Sequence, residues 1–145
     1  MDFMAKSFEI KIRVYYEDTD AGGIVYYANY LKYLERARTE LIYSLGLKHK
    51  KLIKEYGFQI VVAHCDIGFK KPAHFEDHLV IKTELKSLSA VKLEMIQKVY
   101  KVDCWTTTTE EELLVDAKVT LACVNLQGKP KKMPSAASLL FKSCL

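Results

Sequence analysis

Two carboxylates, Asp18 and Asp20, lie in the stretch RVYYEDTDAGGIVYYANYLKYLERARTE, which covers residues 13–40. They follow an amphipathic strand and precede the pair Gly22 and Gly23, after which a long helix is predicted to begin. The first N–H groups of a helix have no partner inside it, so they can hold an anion or polarise a carbonyl. A carboxylate beside them could act on the group that they hold. The spacing therefore predicts a reaction site here.

Each of these residues also has a purely structural interpretation. Asp20 could form an Asx turn ahead of the helix, as we expect for Asp18, and the two glycines could serve only as turn residues. If the Asp20 carboxylate were the only indication, the structural interpretation would be favoured. The residues around Asp20 favour catalysis instead, because together they form a specific motif.

That motif carries a family resemblance. The segment YYEDTDAGGIVYYANYLKYLERAR resembles the signature of the YbgC-type acyl-CoA thioesterases, relatives of 4-hydroxybenzoyl-CoA thioesterase with the hot-dog fold. The segment KKPAHFEDHL is similar to the part of that family that leads into a strand. The resemblance implies an enzyme that hydrolyses the thioester of acyl-CoA or acyl carrier protein, with no cofactor and no metal.

The resemblance also implies roles for individual residues. The family's catalytic carboxylate matches Asp20, which would act either as nucleophile or as general base for water, and both roles stay open. The backbone N–H of Tyr27, or of a neighbour in the first helical turn, is the candidate oxyanion donor. Many relatives have histidine at this position, but a backbone donor does not depend on the side chain. Gly22 and Gly23 would let the thioester approach the backbone closely.

Substrate binding beyond the two glycines is expected near the connection that follows the third strand. Relatives use a basic cluster there for CoA phosphate, whereas residues 88–91 of this chain carry no charge. That departure leaves acyl carrier protein open as the acyl donor. The residues assigned to substrate binding here are Lys86, Ser89, Val91 and Lys92. Other lysines that could attract phosphate, or could be solvated surface, are Lys70, Lys71 and Lys129.

The order of elements predicts an α+β fold. Alternation of apolar and polar residues indicates strands over residues 8–16, 61–69, 79–85, 91–100 and 113–124. A helix is expected to start between residues 26 and 29 and to end at Gly46. Its predicted apolar stripe is Tyr27, Tyr30, Leu31, Leu34, Ala37, Leu41 and Leu45. A helical turn over residues 52–56, an exposed tip from Trp105 to residue 112 and a last helix capped by Ser135 complete the chain. About five strands thus form a curved antiparallel sheet around one long central helix.

Length and composition set further limits. The 145 residues form a single domain, residues 1–145, and the net charge of +4 is too small and scattered to indicate nucleic-acid binding. No apolar run is long enough to span a membrane. The four cysteines form no C-x-x-C pair, and with no secretory signal they indicate reduced thiols in a cytoplasmic protein. His74 and His78 have a spacing that does not suit a metal site in a strand.

Assembly and rival functions complete the predictions. The family joins the sheets of two subunits, which covers exposed sheet edges, and often pairs dimers into tetramers, so a homodimer or homotetramer is implied.

The alternative function is a non-catalytic module that binds acyl thioesters or proteins. A dehydratase ranks last, because that chemistry requires a histidine near the start of the helix and none occurs before residue 48.

Overall fold

The computed structural model describes residues 7–106 and 110–145. The strands are β1 (Phe8–Arg13), β2 (Phe58–Phe69), β3 (His78–Leu88), β4 (Lys92–Val102) and β5 (Glu111–Asn125). The helices are α1 (Asn29–Ser44), α2 (His49–Tyr56) and α3 (Ser135–Lys142), and a short 3₁₀ turn covers Tyr16–Asp18. No helix within the described ranges is long and apolar enough to cross a membrane.

All five strands belong to one antiparallel sheet in the order β1-β3-β4-β5-β2. The α+β fold class and the five-strand sheet are therefore confirmed. Strands β1 and β2 form its two edges, and α1 packs on β1 and β3.

The core lies between this sheet and the helices and has two parts. One part surrounds the first half of α1, where Tyr30 and Leu34 pack with Leu79 and Val99. The other surrounds the end of α1, where Leu41 packs near Met95 of β4, and is closed by Leu52 of α2 and Phe141 of α3. The long helix is thus covered along its whole length, as its apolar stripe requires.

Helix α1 begins at Asn29, inside the predicted range, and Gly46 follows its end with φ +81°. Its buried stripe differs from the predicted one. Tyr27 precedes the helix and is exposed, and Leu31 is also exposed, whereas Tyr33 and Ile42 are buried. The stripe is centred on Tyr30, Leu34, Ala37 and Leu41, and Leu31 lies about 100° around the helix from Tyr30, so it faces away from the sheet.

Strand β1 ends earlier than predicted. Val14 is fully buried, but Tyr16, which was expected on the same face, is 79% exposed. The chain leaves the sheet at this point, because the 3₁₀ turn is closed by a bond from the Tyr15 N–H to Asp18 Oδ2 at 2.8 Å. This turn brings the following loop towards the start of α1.

Strand β2 contains a register shift between Val62 and His64 that the sequence does not reveal. The prediction placed Val61, Ala63, Cys65, Ile67 and Phe69 on one face. It is correct for Cys65 and Ile67, which pair with the buried Val119 and Ala117. It is wrong before the bulge, where Ile60 pairs with the buried Cys123, because one extra residue exchanges the two faces.

The predictions for Ser135 and Trp105 also need correction. Ser135 is the first residue of α3 rather than its cap, since Pro134 precedes the helix and no side chain caps it. Trp105 does not belong to an exposed tip: its indole N–H donates to the Leu79 carbonyl at 3.2 Å and its ring packs against His78. Residues 107–109 of the predicted tip lie outside the described residues. In β5, by contrast, the predicted alternation is confirmed for the buried residues Val115, Ala117, Val119, Leu121 and Cys123. It does not extend to Leu113, which was expected on the same face but is only partly buried, whereas Leu114 is fully buried, because the register with β4 shifts at this point.

A buried polar network fixes α1 on the sheet. The fully buried Gln97 of β4 donates to the Leu34 carbonyl and to Thr83 Oγ1, both at 3.0 Å. Its amide oxygen accepts a bond from the Arg38 guanidinium at 3.0 Å. Because these groups satisfy one another inside the core, they set the position of the helix relative to β3 and β4.

Candidate active site

A small hairpin-like loop positions Asp20. Thr19 forms an antiparallel bridge with Val25, and the Asp20 N–H donates to the Ile24 carbonyl at 2.9 Å. At the tip, the Gly23 N–H donates to the Asp20 carbonyl at 3.0 Å, and Gly23 has φ +78°. A residue with a side chain adopts such a φ only under strain, which explains glycine here. The loop therefore returns the chain directly from Asp20 to the start of α1.

The carboxylate of Asp20 is exposed and lines a hollow of about 400 Å³. Its Oδ1 accepts a bond from the Gly22 N–H at 2.8 Å. In the described part of the chain, Oδ2 has no hydrogen-bond partner and no lysine or arginine forms an ion pair with the carboxylate. One oxygen is thus held by the loop while the other is left to meet a ligand or a water molecule.

The start of α1 offers two amides that have no partner in the part of the chain that the structure describes. The N–H groups of Asn29 and Tyr30 already donate to the carbonyls of Tyr26 and Tyr27, at 2.8 and 3.3 Å. Those of Tyr27 and Ala28 donate to no acceptor in the described ranges, and no side chain caps the helix. They lie at the positive end of the helix dipole, so they can hold a negative oxygen.

The carbonyl of Asp18 connects the carboxylate loop to these amides. It accepts a bond from the Tyr26 N–H at 3.0 Å and another from the Asn29 side chain at 2.8 Å. Asp18 has a structural role, as predicted, but not through an Asx turn: its carboxylate accepts the N–H of Tyr15, three residues earlier, and closes the 3₁₀ turn. The Asx-turn bond is made by Asp20, whose Oδ1 accepts the Gly22 N–H. Sequence reasoning missed Asn29, although an amide side chain at the start of a predicted helix is a signal that could have identified it.

Aromatic rings surround the site. The Tyr27 ring is 62% exposed and lies 6.1 Å from the ring of Phe69, at the end of edge strand β2. Tyr16 and Phe75, which pack edge to face at 5.5 Å, both line the Asp20 hollow. Sequence reasoning did not assign either of these two residues to the site, since Tyr16 was expected in strand β1 and Phe75 belongs to a segment that was expected only to lead into a strand.

Two buried tyrosines support the site from below. Burial raises the pKa of Tyr30, whose hydroxyl oxygen accepts a bond from the Ala73 N–H at 3.1 Å. Burial raises the pKa of Tyr33 further, and the nearby Asp18 carboxylate acts in the same direction. The Tyr33 hydroxyl is buried and has no hydrogen-bond partner within the described residues. Both rings therefore remain neutral at physiological pH and act as packing beneath the loop.

The other substrate-binding residues predicted from the sequence lie elsewhere. Strand β3 begins at His78, which pairs with Arg13 at the Asp20 end of the sheet, and it ends at Leu88. Eleven residues of strand separate these ends by roughly 33 Å. Within one chain, the structure therefore does not bring the β3–β4 hairpin residues to Asp20: Lys86, Ser89, Val91 and Lys92.

Local contacts account for the form of this hairpin. Ser89 closes it, because its N–H donates to the Lys92 carbonyl at 2.8 Å and its hydroxyl accepts the Lys92 N–H at 3.1 Å. The Val91 carbonyl accepts the Cys123 N–H at 2.8 Å. The side chains of Lys86 and Lys92 are exposed. Among the other candidate lysines, Lys71 forms an ion pair with Glu112 at 2.8 Å, which offsets its charge.

Comparisons with known proteins agree with this fold and motif. The model of the thioesterase-like superfamily matches residues 14–140. The acyl-CoA thioester hydrolase YbgC of Escherichia coli O6:H1 is 36% identical over 136 residues, which cover 93% of this chain and 96% of the relative. The crystal structure of a probable thioesterase from Bartonella henselae matches with a TM-score of 0.77 and 34% identity, over 89% of this chain and 100% of that one.

A more distant structure shows the same fold. A 4-hydroxybenzoyl CoA thioesterase variant complexed with 4-hydroxybenzoyl CoA matches with a TM-score of 0.84, over 97% of this chain and 100% of that one, at 22% identity. The resemblance to YbgC-type proteins that the motif indicated is confirmed by these matches. The chain therefore belongs to the thioesterase-like superfamily and has the hot-dog fold of its members.

Proposed function

We propose that this protein is a thioester hydrolase that cleaves acyl-CoA, with the Asp20 carboxylate and the Tyr27 amide as its catalytic groups. One observation carries the proposal. An exposed carboxylate with a free oxygen lies in a loop that the Asp18 carbonyl bonds to the start of α1, where two amides have no partner within the described residues. The names of the similar proteins, acyl-CoA thioester hydrolase among them, support the same reaction.

Two routes use the same groups. In the first, Asp20 attacks the thioester carbonyl carbon, the CoA thiolate leaves, and water hydrolyses the resulting acyl-enzyme anhydride. In the second, Asp20 removes a proton from water, the hydroxide attacks the carbonyl carbon, and the C–S bond breaks to release the CoA thiolate. In both, negative charge develops on the carbonyl oxygen, which the Tyr27 N–H and the helix dipole stabilise. A donor of this kind is worth roughly 10²–10³ in rate.

The two glycines give the thioester access to these groups. The region around residues 20–23 is exposed, and no side chain projects from Gly22 or Gly23. A Cβ atom added at Gly22 would lie 3.2 Å from Asp20 Oδ1, which is closer than an ordinary contact. A larger residue at this position would therefore disturb the carboxylate that the reaction requires.

A dimer through edge strand β2 would complete the site. That edge leaves Val61, Val62 and Phe69 at 39%, 50% and 49% exposure, and an unpaired apolar edge favours pairing with a second copy. A second copy, or a second dimer in a tetramer, could bring its β3–β4 hairpin near the Asp20 site. Lys86, Ser89, Val91 and Lys92 would then meet the nucleotide end of the substrate. Solution mass, together with the KM of a Lys86→Ala/Lys92→Ala variant, tests this part.

Two molecules could donate the acyl group to this site. Acyl carrier protein would present the same thioester on the same pantetheine arm, so it stays a second acyl donor whose hydrolysis kinetics must be compared with those of acyl-CoA.

The four cysteines are free thiols, which is the state that a cytoplasmic protein maintains, and we assign the enzyme to that compartment.

Substitution of Asp20 tests the function. Asp20→Asn preserves size and removes the base and nucleophile, so hydrolysis of a panel of acyl-CoAs should fall by roughly 10²–10⁴-fold. Glu17→Gln is the matched control, because it neutralises an exposed carboxylate three residues away that does not line the Asp20 hollow. Circular dichroism should show both variants folded.

Two results would reject the proposal. Full activity of Asp20→Asn would remove the carboxylate from the mechanism. A wild-type protein that binds acyl-CoA without turning it over would instead be the non-catalytic binding module.

A further inference from the structure

Asn29 makes a contact that the helix itself does not need. Its side-chain amide donates to the Asp18 carbonyl, eleven residues earlier in the chain, at 2.8 Å, and the contact is partly buried. Ala28, not Asn29, is the N-cap residue, and the Asn29 side chain satisfies no amide of α1. Alanine is a better helix former than asparagine at a helical position. Helix stability therefore does not explain the asparagine.

The position of this contact relative to the free amides is informative. The Asp18 carbonyl accepts two bonds, one from the Tyr26 N–H and one from Asn29. These two donors lie immediately before and immediately after Tyr27 and Ala28, whose amides have no partner in the described ranges. The Asp18 carbonyl oxygen thus holds the chain at one residue before and at one residue after the two free amides.

That oxygen atom belongs to the loop that carries the carboxylate. Asp18 is separated from Asp20 by one residue, and the bridge between Thr19 and Val25 continues the connection. On the helix side of the two free amides, Asn29 supplies the side-chain bond to this loop. Without it, the first turn of α1 would keep only the Tyr26 N–H bond to this oxygen, while the Tyr30 hydroxyl would still accept the Ala73 N–H.

We infer that Asn29 is a positioning residue, which fixes the distance between the Asp20 carboxylate and the oxyanion-binding amides of Tyr27 and Ala28. The inference rests on the proposed function, since it concerns the geometry of that site. Asn29 does not touch the reacting atoms. Its loss should lower the rate of the chemical step and leave substrate binding nearly unchanged.

The test compares Asn29→Ala with the wild-type enzyme. We expect kcat to fall roughly tenfold or more, because small displacements of a catalytic group cost large factors in rate. KM should stay within about threefold, and the melting temperature should stay within about 2 °C, since alanine favours the helix. Lys32→Ala, an exposed residue in the next turn of α1, is the control and should retain wild-type kcat.

The outcomes separate this inference from the proposed function. Unchanged kcat in Asn29→Ala, beside an inactive Asp20→Asn, would overturn the positioning role and leave the hydrolase intact. Parallel losses of kcat and melting temperature would also overturn it, because they would show that Asn29 only stabilises the fold. If Asp20→Asn keeps full activity, the proposed function itself fails.

Discussion

Replacing Gly22 by alanine should reduce activity without reducing stability. The added Cβ would lie 3.2 Å from Asp20 Oδ1, so the carboxylate must move by a few tenths of an ångström. A displacement of 1 Å can cost about 10²-fold in rate, so a displacement of one third to one half of that corresponds to a loss of roughly five- to tenfold on a logarithmic scale. Gly22 does not have a positive φ. Alanine should therefore leave the free energy of unfolding unchanged or raise it by about 0.4–1 kcal/mol.

Gly46→Ala gives the opposite pattern and serves as the control. Gly46 has φ +81° at the end of α1, and a Cβ there would meet no atom within 4 Å. The strained backbone should lower the free energy of unfolding by about 1–2 kcal/mol, while kcat of the folded enzyme stays at the wild-type value. Urea unfolding and steady-state hydrolysis of one acyl-CoA measure both quantities. Full activity in Gly22→Ala, or loss of activity only in proportion to stability, would refute the reasoning.

Three further predictions concern the core. Gln97→Leu should lower the free energy of unfolding by about 2–4 kcal/mol in urea, because it leaves the partly buried Arg38 guanidinium and two other polar groups without their partner; an unchanged value would show that the network is dispensable. Tyr33→Phe removes a buried hydroxyl that has no hydrogen-bond partner within the described residues, so stability should stay equal or rise by up to about 1 kcal/mol, and a clear loss would show that the hydroxyl bonds the nearby Asp18 carboxylate. Burial raises the pKa of Cys123 to about 11, so roughly one thiol in a thousand is ionised at pH 8. Iodoacetamide should therefore modify Cys123 only after unfolding. Mass spectrometry of the peptides would contradict this if it found labelled Cys123 in the folded protein.

The sequence predicted the elements well because most of them follow simple periodicity. Strand β5 buries every second residue from Val115 to Cys123, and α1 starts within the predicted four-residue range. Two of the errors, in β2 and at Trp105, occur where a contact distant in sequence decides the structure. The bulge in β2 arises from its pairing with β5, and the position of Trp105 depends on the Leu79 carbonyl, so neither leaves a local signal.

The candidate site was predictable only in part. A motif of adjacent residues selected Asp20, the glycines and the amide of Tyr27 as candidates, and these lie together because all belong to one short loop and the start of the next helix, whereas the predicted β3–β4 hairpin residues lie at the other end of the sheet. Asn29 was not identified, because its role depends on which carbonyl folds back towards it. Phe75 lines the hollow from a loop more than 50 residues away, which no spacing rule reports.

The central claim is that a thioester binds between the Asp20 side chain and the free amides at the start of α1. A crystal structure of the Asp20→Asn variant with an acyl-CoA tests it most directly. The thioester carbonyl oxygen should lie about 3 Å from the Tyr27 backbone nitrogen, with its carbon about 3–3.5 Å from the side chain at position 20. An ordered thioester bound elsewhere, or one whose carbonyl meets other donors, would contradict the claim.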